Sequence, residues 1–271
     1  MIFPIFQYPP ASSFFSFSLR PVFYLSVLLS SFLAQNFWAQ ERPKLTVAAA
    51  SDLSPLEAEF KKGFPLADLT FSFASSGVLA RQIEAGAPFD VYLSANEEFM
   101  NQLVKKGKVE KEAIQVYAIG RIGLWGKSRA VRTLQDLDQP GVRVIAVANP
   151  QLAPYGAAAI AAIQKAGLLP KLQQKLVYGE NIRQTMQFAE TGNADVAVLS
   201  WSLIYDKGGF LIPDDMHPAI RQVVAPVRRK GGDRKLAESF SQFLLSETGR
   251  SIFATHGFNL LPGAPSLKRP R

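Results

Sequence analysis

From Leu45 onward a short hydrophobic run, a loop of small residues and a helical segment follow one another repeatedly. Leu45–Ala50 predicts a strand. Ser54, Pro55 and Glu57 then pair a capping serine and glutamate with proline at the first helical position, so a helix is expected to about Lys62, ending at Gly63. Leu69–Ala74 and Phe89–Ser94 predict further strands, with Ser94 and Glu97 as a second capping box. Residues 116–126 predict one long strand broken by Gly120 and Gly123. The pattern restarts with strands over 142–149, 175–180 and 194–200, and Asn181 is placed to cap a helix ending at Gly192. Residues 221–227 predict an extended edge or crossing segment, because Pro226 cannot donate to a ladder. Two helices, about 233–246 and 247–256, close the pattern.

Strand–loop–helix units require parallel pairing, since the chain must cross back over the sheet before the next strand. Two such sets give an α/β chain of two lobes, each with a mainly parallel sheet flanked by helices. The expected division is residues 41–121 with 227–271 in lobe 1 and 122–226 in lobe 2. The last helices have no strands of their own and are expected to cover the first lobe. Two crossing strands, near 119–122 and 223–227, then form a hinge.

Residues 1–40 stand apart: they contain no acid and a single basic residue, Arg20. The apolar run from Pro21 to Ala34 is too short and broken to favour a membrane span and fits a secretory leader cleaved near Ala34 or Ala39, with an uncleaved membrane anchor as the alternative. The chain has no cysteine, which excludes a disulfide framework, a thiolate metal site and a lipid-carrying cysteine. The formal net charge of +8 is scattered, with small clusters only at 227–235 and 267–271, so no nucleic-acid stripe is expected.

Ligands of open α/β sheets lie beyond the carboxyl ends of the strands. Four such ends are "AAASD" (48–52), "FASSG" (73–77), "NPQLAPYGA" (149–157) and "YGENI" (178–182). Each leads into a helix, whose first amides are unpaired and carry partial positive charge. None contains lysine or arginine. A serine or asparagine before a helix is by itself an ordinary cap. Four converging loops of neutral donors suit a ligand that accepts hydrogen bonds all round, such as a tetrahedral oxyanion.

These stretches, with "GVLARQIEAGAPFDVYLSANEE" (77–98), "IRQTMQFAETGNADVAVLS" (182–200) and "THGF" (255–258), resemble the periplasmic molybdate-binding proteins of ABC transporters over about residues 44–262. The resemblance implies a type II periplasmic binding protein-like fold that closes on molybdate or tungstate, with no cofactor. It implies a monomer that serves a membrane permease and its ATPase. By match to the family's motifs, Ser51 and Ser76 would give hydroxyl and backbone donors, Asp52 its backbone N–H, and Tyr155 and Ile182 backbone N–H groups. Some members place a ligand-binding tyrosine where this chain has Ser200; the chain resembles the branch without it. The Asp52 side chain is expected to point away from a dianion, capping the following helix.

Other classes are weaker. A hydrolase using a cleft serine lacks G-x-S-x-G, S-x-x-K and a suitable histidine, since His217 and His256 lie far apart in sequence. A metal site fails for the same reason. Sulfate shares the charge and shape of molybdate, and protonated phosphate would want a carboxylate acceptor, so both stay open as alternative ligands.

Overall fold

The structure is a computed structural model, and it describes residues 42–127 and 131–261. The expected leader lies outside these residues. Among the described residues no helix is long and apolar enough to cross a membrane.

The first half of the chain runs β1 (Lys44–Ala50), a 3-10 turn (Ser51–Leu56), α1 (Glu57–Gly63), β2 (Asp68–Ala74), α2 (Ser76–Glu84), β3 (Val91–Ser94), α3 (Glu97–Lys105) and β4 (Gln115–Gly120). Then follow β5 (Ile122–Trp125), β6 (Ile145–Ala148), α4 (Pro154–Lys165), α5 (Leu169–Leu172), β7 (Leu176–Gly179), α6 (Ile182–Thr191), β8 (Val196–Ser200) and β9 (Phe210–Leu211). The chain closes with β10 (Ile220–Pro226), α7 (Arg234–Leu245) and α8 (Glu247–Thr255). Two five-stranded sheets result, ordered β2-β1-β3-β10-β4 and β7-β6-β8-β5-β9.

Both sheets are mainly parallel, as expected: four strands of each share one direction, and one, β10 in the first and β5 in the second, runs against them. In each, the first three strands of that order run parallel, as the helical crossovers demand, and the last two ladders are antiparallel. Those ladders are built by strands that enter from the other sheet, which need no crossover helix. An aspartate pins the same point of each sheet. Asp90 Oδ2 accepts from the Thr46 amide at 2.8 Å, and Asp195 Oδ2 accepts from the Val144 amide at 2.9 Å.

Two expectations fail at the hinge. The single strand over 116–126 is two strands, one in each sheet, with Arg121 between them. Residues 220–226 are no edge: β10 lies inside the first sheet between β3 and β4, and Pro226 sits at its last position, where the ladder ends. The chain therefore rejoins the first sheet at Ile220, ahead of the boundary expected at 226/227, and the second crossing falls in 212–219. Two caps also differ. Asn96, not Ser94, caps α3 by accepting from the Phe99 amide, and the Ser54 region forms a 3-10 turn without a side-chain cap. In contrast, Asn181 accepts from the amides of Arg183 and Gln184, as its position predicts.

Alternating residues of β1 feed two cores. Leu45, Val47 and Ala49 face Leu53, Phe60, Phe240 and Phe253, whereas Ala48 faces Leu79, Ile83 and Met100. The period of 2 along a strand places α2 and α3 on one face and α1, α7 and α8 on the other. Phe60 packs edge-on against Phe253 at 5.6 Å between centroids, so the last helices are held over the first sheet by aromatic burial. The second sheet has its own core of Ile145, Val147, Ala159, Ile163, Val196 and Val198, flanked by Ala-rich α4.

Candidate functional site

The four loops meet at one place. Ser51, Asp52, Ser76, Tyr155 and Ile182 all line one small cavity between the sheets, together with Ser75 and the small residues Ala50, Ala74, Ala95 and Ala153. Its volume is about 10 Å³, the room of about one water centre. Each of the five expected residues is nearly fully buried. No lysine, arginine or histidine lines the cavity.

Local sequence explains the convergence. β1 and β2 pair in register to Ala50↔Ala74, so their carboxyl ends lie level. Alanine at both ends leaves the following turns in reach of a ligand. Ser76 is the first residue of α2, Tyr155 lies in the first turn of α4 and Ile182 starts α6. Amides in a first turn have no acceptor one turn back within their own helix. Pro154 gives up no such donor, since it has none. The three helix starts thus bring the positive ends of their dipoles to one cavity.

Side chains complete the walls. Ser76 Oγ accepts from the Ala95 amide at 3.0 Å, which leaves its own proton free to donate elsewhere. Tyr92 Oη donates to the Ser76 carbonyl at 2.7 Å and fixes the turn. Ser75 Oγ is buried without a protein partner. It is the one lining hydroxyl that the motif reading passes over; its signal in the sequence was only the doubled serine of "SSG". Ser200 is not at the cavity. Its Oγ lies 3.0 Å from Ser202 Oγ, and Ser202 donates to the Asp52 carbonyl at 2.9 Å.

The Asp52 side chain does not cap the following helix. Its Oδ2 accepts from Tyr155 Oη at 2.8 Å and from Gln222 Nε2 at 3.0 Å, while Oδ1 is buried with no protein partner. Gln222 Oε1 in turn accepts from Tyr117 Oη at 2.8 Å. The network ties the first sheet, through Asp52, Gln222 and Tyr117, to the first turn of α4. Burial, the largest influence, lifts the Asp52 carboxyl to about 7, against the hydrogen bonds from Tyr155, its own backbone amide and Gln222. Burial also holds the Tyr155 and Tyr117 phenols protonated, well above their ordinary value. Tyr155 needs room for this, and Gly120 supplies it: a Cβ there would lie 2.3 Å from Tyr155 Oη.

A larger groove of about 960 Å³ opens outside the cavity and shares Ser51 with it. Arg183 and Lys207 on its walls are offset by Glu190 and Asp206. It has volume but no concentrated charge.

Two α/β sheets that meet around a cavity of neutral donors are a frame suited to binding a solute. The chain belongs to the bacterial extracellular solute-binding protein family, whose profile matches residues 45–259. It is 34% identical over 194 residues to the molybdate-binding protein ModA of Rhodobacter capsulatus, covering 70% of this chain and 77% of that one. It is 30% identical over 234 residues to ModA of Azotobacter vinelandii, covering 82% and 92%. The solved structure of the Azotobacter vinelandii periplasmic molybdate-binding protein superposes with a TM-score of 0.74 at 28% identity, covering 80% of this chain and 99% of that one.

Proposed function

We propose that the chain captures molybdate, and tungstate with it, as a tetrahedral dianion between two lobes and delivers it to the permease of an ABC transporter and its ATPase. One observation carries the reading: four helix-start loops, two from each sheet, converge on one small cavity with no cation in its wall. Every oxygen of a tetrahedral anion can then meet a neutral donor, which offsets the cost of burying its charge. In this reading Ser51 and Ser76 give hydroxyl and backbone donors, and Asp52, Tyr155 and Ile182 give backbone N–H groups. All bind oxygens, so no side chain ligates the metal. The tyrosine contact made by some relatives is lost here, and Ser200 holds Ser202 instead.

The lobes are the two sheets with their helices, joined at Arg121 and at 212–219. The Gly77 amide donates to the Leu152 carbonyl at 2.9 Å, a bond from one lobe to the other beside the cavity. Bonds of this kind break on opening and re-form around the anion, so the ligand selects the closed population. Export to the periplasm by the leader, and action as a monomer, belong to the same proposal.

The test is thermal unfolding of the purified chain with molybdate, tungstate, sulfate and phosphate. At about 100 times its dissociation constant a ligand adds about 2.7 kcal/mol. Stabilisation by molybdate and tungstate alone is expected. Stabilisation by sulfate or phosphate alone would keep the site and replace the ligand. No response to any of the four would overturn the oxyanion reading.

A further inference from the structure

Asp52 is the only ionisable carboxyl in the cavity wall, and its two oxygens are used unequally. Oδ2 takes both side-chain donors, Tyr155 Oη and Gln222 Nε2. Oδ1 is buried and has no protein partner. A carboxylate there would set one more negative charge beside a bound dianion, in a wall without a compensating cation. We propose that Asp52 is a ligand of the oxyanion through its side chain: it enters the complex as the neutral acid and donates a proton from Oδ1, so that capture of the dianion takes up one proton. This rests on the oxyanion reading above and adds a proton to it.

The groups packed around the carboxyl agree. Tyr155 on α4 and Tyr117 on β4 are the titratable neighbours, and burial keeps both phenols neutral. Gln222 on β10 and Ser202 after β8 are uncharged, and Tyr92 on β3 is turned to the Ser76 carbonyl. No charged side chain takes part in this network. Without the anion the carboxyl titrates near 7. A dianion at hydrogen-bond distance raises that value further, because like charge disfavours ionisation. Below about pH 6 the free protein already carries the proton. Above pH 7 it must gain one on binding, and each further pH unit weakens the apparent affinity up to tenfold. Proton balance is simple: the proton comes from solvent, stays on Oδ1 and returns to solvent on release.

Calorimetric titration of the purified chain with molybdate reads this directly, at pH 5.8 and pH 8.5, each in two buffers of different ionisation enthalpy. Uptake close to one proton is expected at pH 8.5 and little at pH 5.8. Asp52→Asn, whose amide donates without titrating, should abolish both the uptake and the pH dependence of affinity. A purely structural Asp52 would give neither change. Tight molybdate binding at pH 8.5 with no proton uptake overturns the proton donation and leaves molybdate as ligand. Binding of phosphate without uptake, and of molybdate not at all, makes Asp52 an acceptor and overturns both readings.

Discussion

Tyr155 and Asp52 stand 103 positions apart in the chain, in segments that follow strands of different sheets, yet the tyrosine hydroxyl donates to the carboxyl at 2.8 Å in a buried setting. The bond makes Asp52 both a wall of the cavity and a strut between the sheets. Its titration must therefore be visible in folding. In the unfolded chain the carboxyl ionises near 3.8, and in the folded chain near 7. Between those values the folded state holds more protons, so this group's stabilisation is present below about pH 4 and is lost as pH rises through 7. The loss is several kcal/mol, roughly 4. Urea unfolding of wild type and Asp52→Asn from pH 4.5 to 8 should show the wild type losing ground to the variant as pH rises. The comparison cancels the exposed carboxylates, such as Glu110, whose arginine partners push the other way.

Ser76 and Ser75 are neighbours with opposite expectations. Ser76→Ala removes a hydroxyl that accepts from the Ala95 amide. It should weaken molybdate binding by about 1–3 kcal/mol and cost the free protein a similar amount for the orphaned amide. Ser75→Ala removes a hydroxyl with no partner, so the free protein should be unchanged or slightly more stable. Paired calorimetry and denaturant unfolding separate the two serines.

Gly120→Ala should report on the strut without touching it chemically. The new methyl would lie 2.3 Å from Tyr155 Oη and 3.1 Å from Gln222 Nε2. The tyrosine must move off Asp52, leaving buried groups unpaired at a cost of about 1–3 kcal/mol. A lower melting temperature and weaker molybdate binding are expected together. An unchanged melting temperature would mean that the network relaxes freely.

Gly257→Ala probes the contact between the end of α8 and Trp201. Gly257 has φ +80°, and a Cβ would meet Trp201 Cδ1 at 2.6 Å. Trp201 lies at the end of β8, with the Arg121 guanidinium 5.9 Å from its ring centre. Strain of about 1–3 kcal/mol is expected, together with displacement of the indole. Tryptophan emission of the free variant should move toward that of an open wild type, and added molybdate should reverse it less completely.

Much of this was legible in the sequence, for identifiable reasons. The five residues that line the cavity together sit in short motifs at strand ends, where the chain's direction already fixes which edge of a sheet they occupy. Helices were readable where a side chain marks their start, as Asn181 does. The failures are those of long-range pairing. Nothing local distinguishes a strand between β3 and β4 from an edge strand, and Pro226 misleads because a proline at the final rung costs no bond. Residues 116–126 read as one strand because both halves are extended; only their partners, β10 and β8, tell them apart. The Asp52 network was invisible for the same reason, since Tyr155, Gln222 and Tyr117 meet it from three distant segments.

The helix starts around the cavity carry a last implication. An amide belongs to every residue except proline, so exchanging the side chain at 155 or 182 leaves the donor in place. What such an exchange can alter is the bore of the cage, or the tilt of the helix behind it. Heritable variation at these walls is thus channelled toward the size of the anion accepted, while the appetite for an anion persists. On the proposed reading the Asp52 carboxyl, and with it the Tyr155 hydroxyl that bonds it, is where one substitution changes the acidity at which the cage fills.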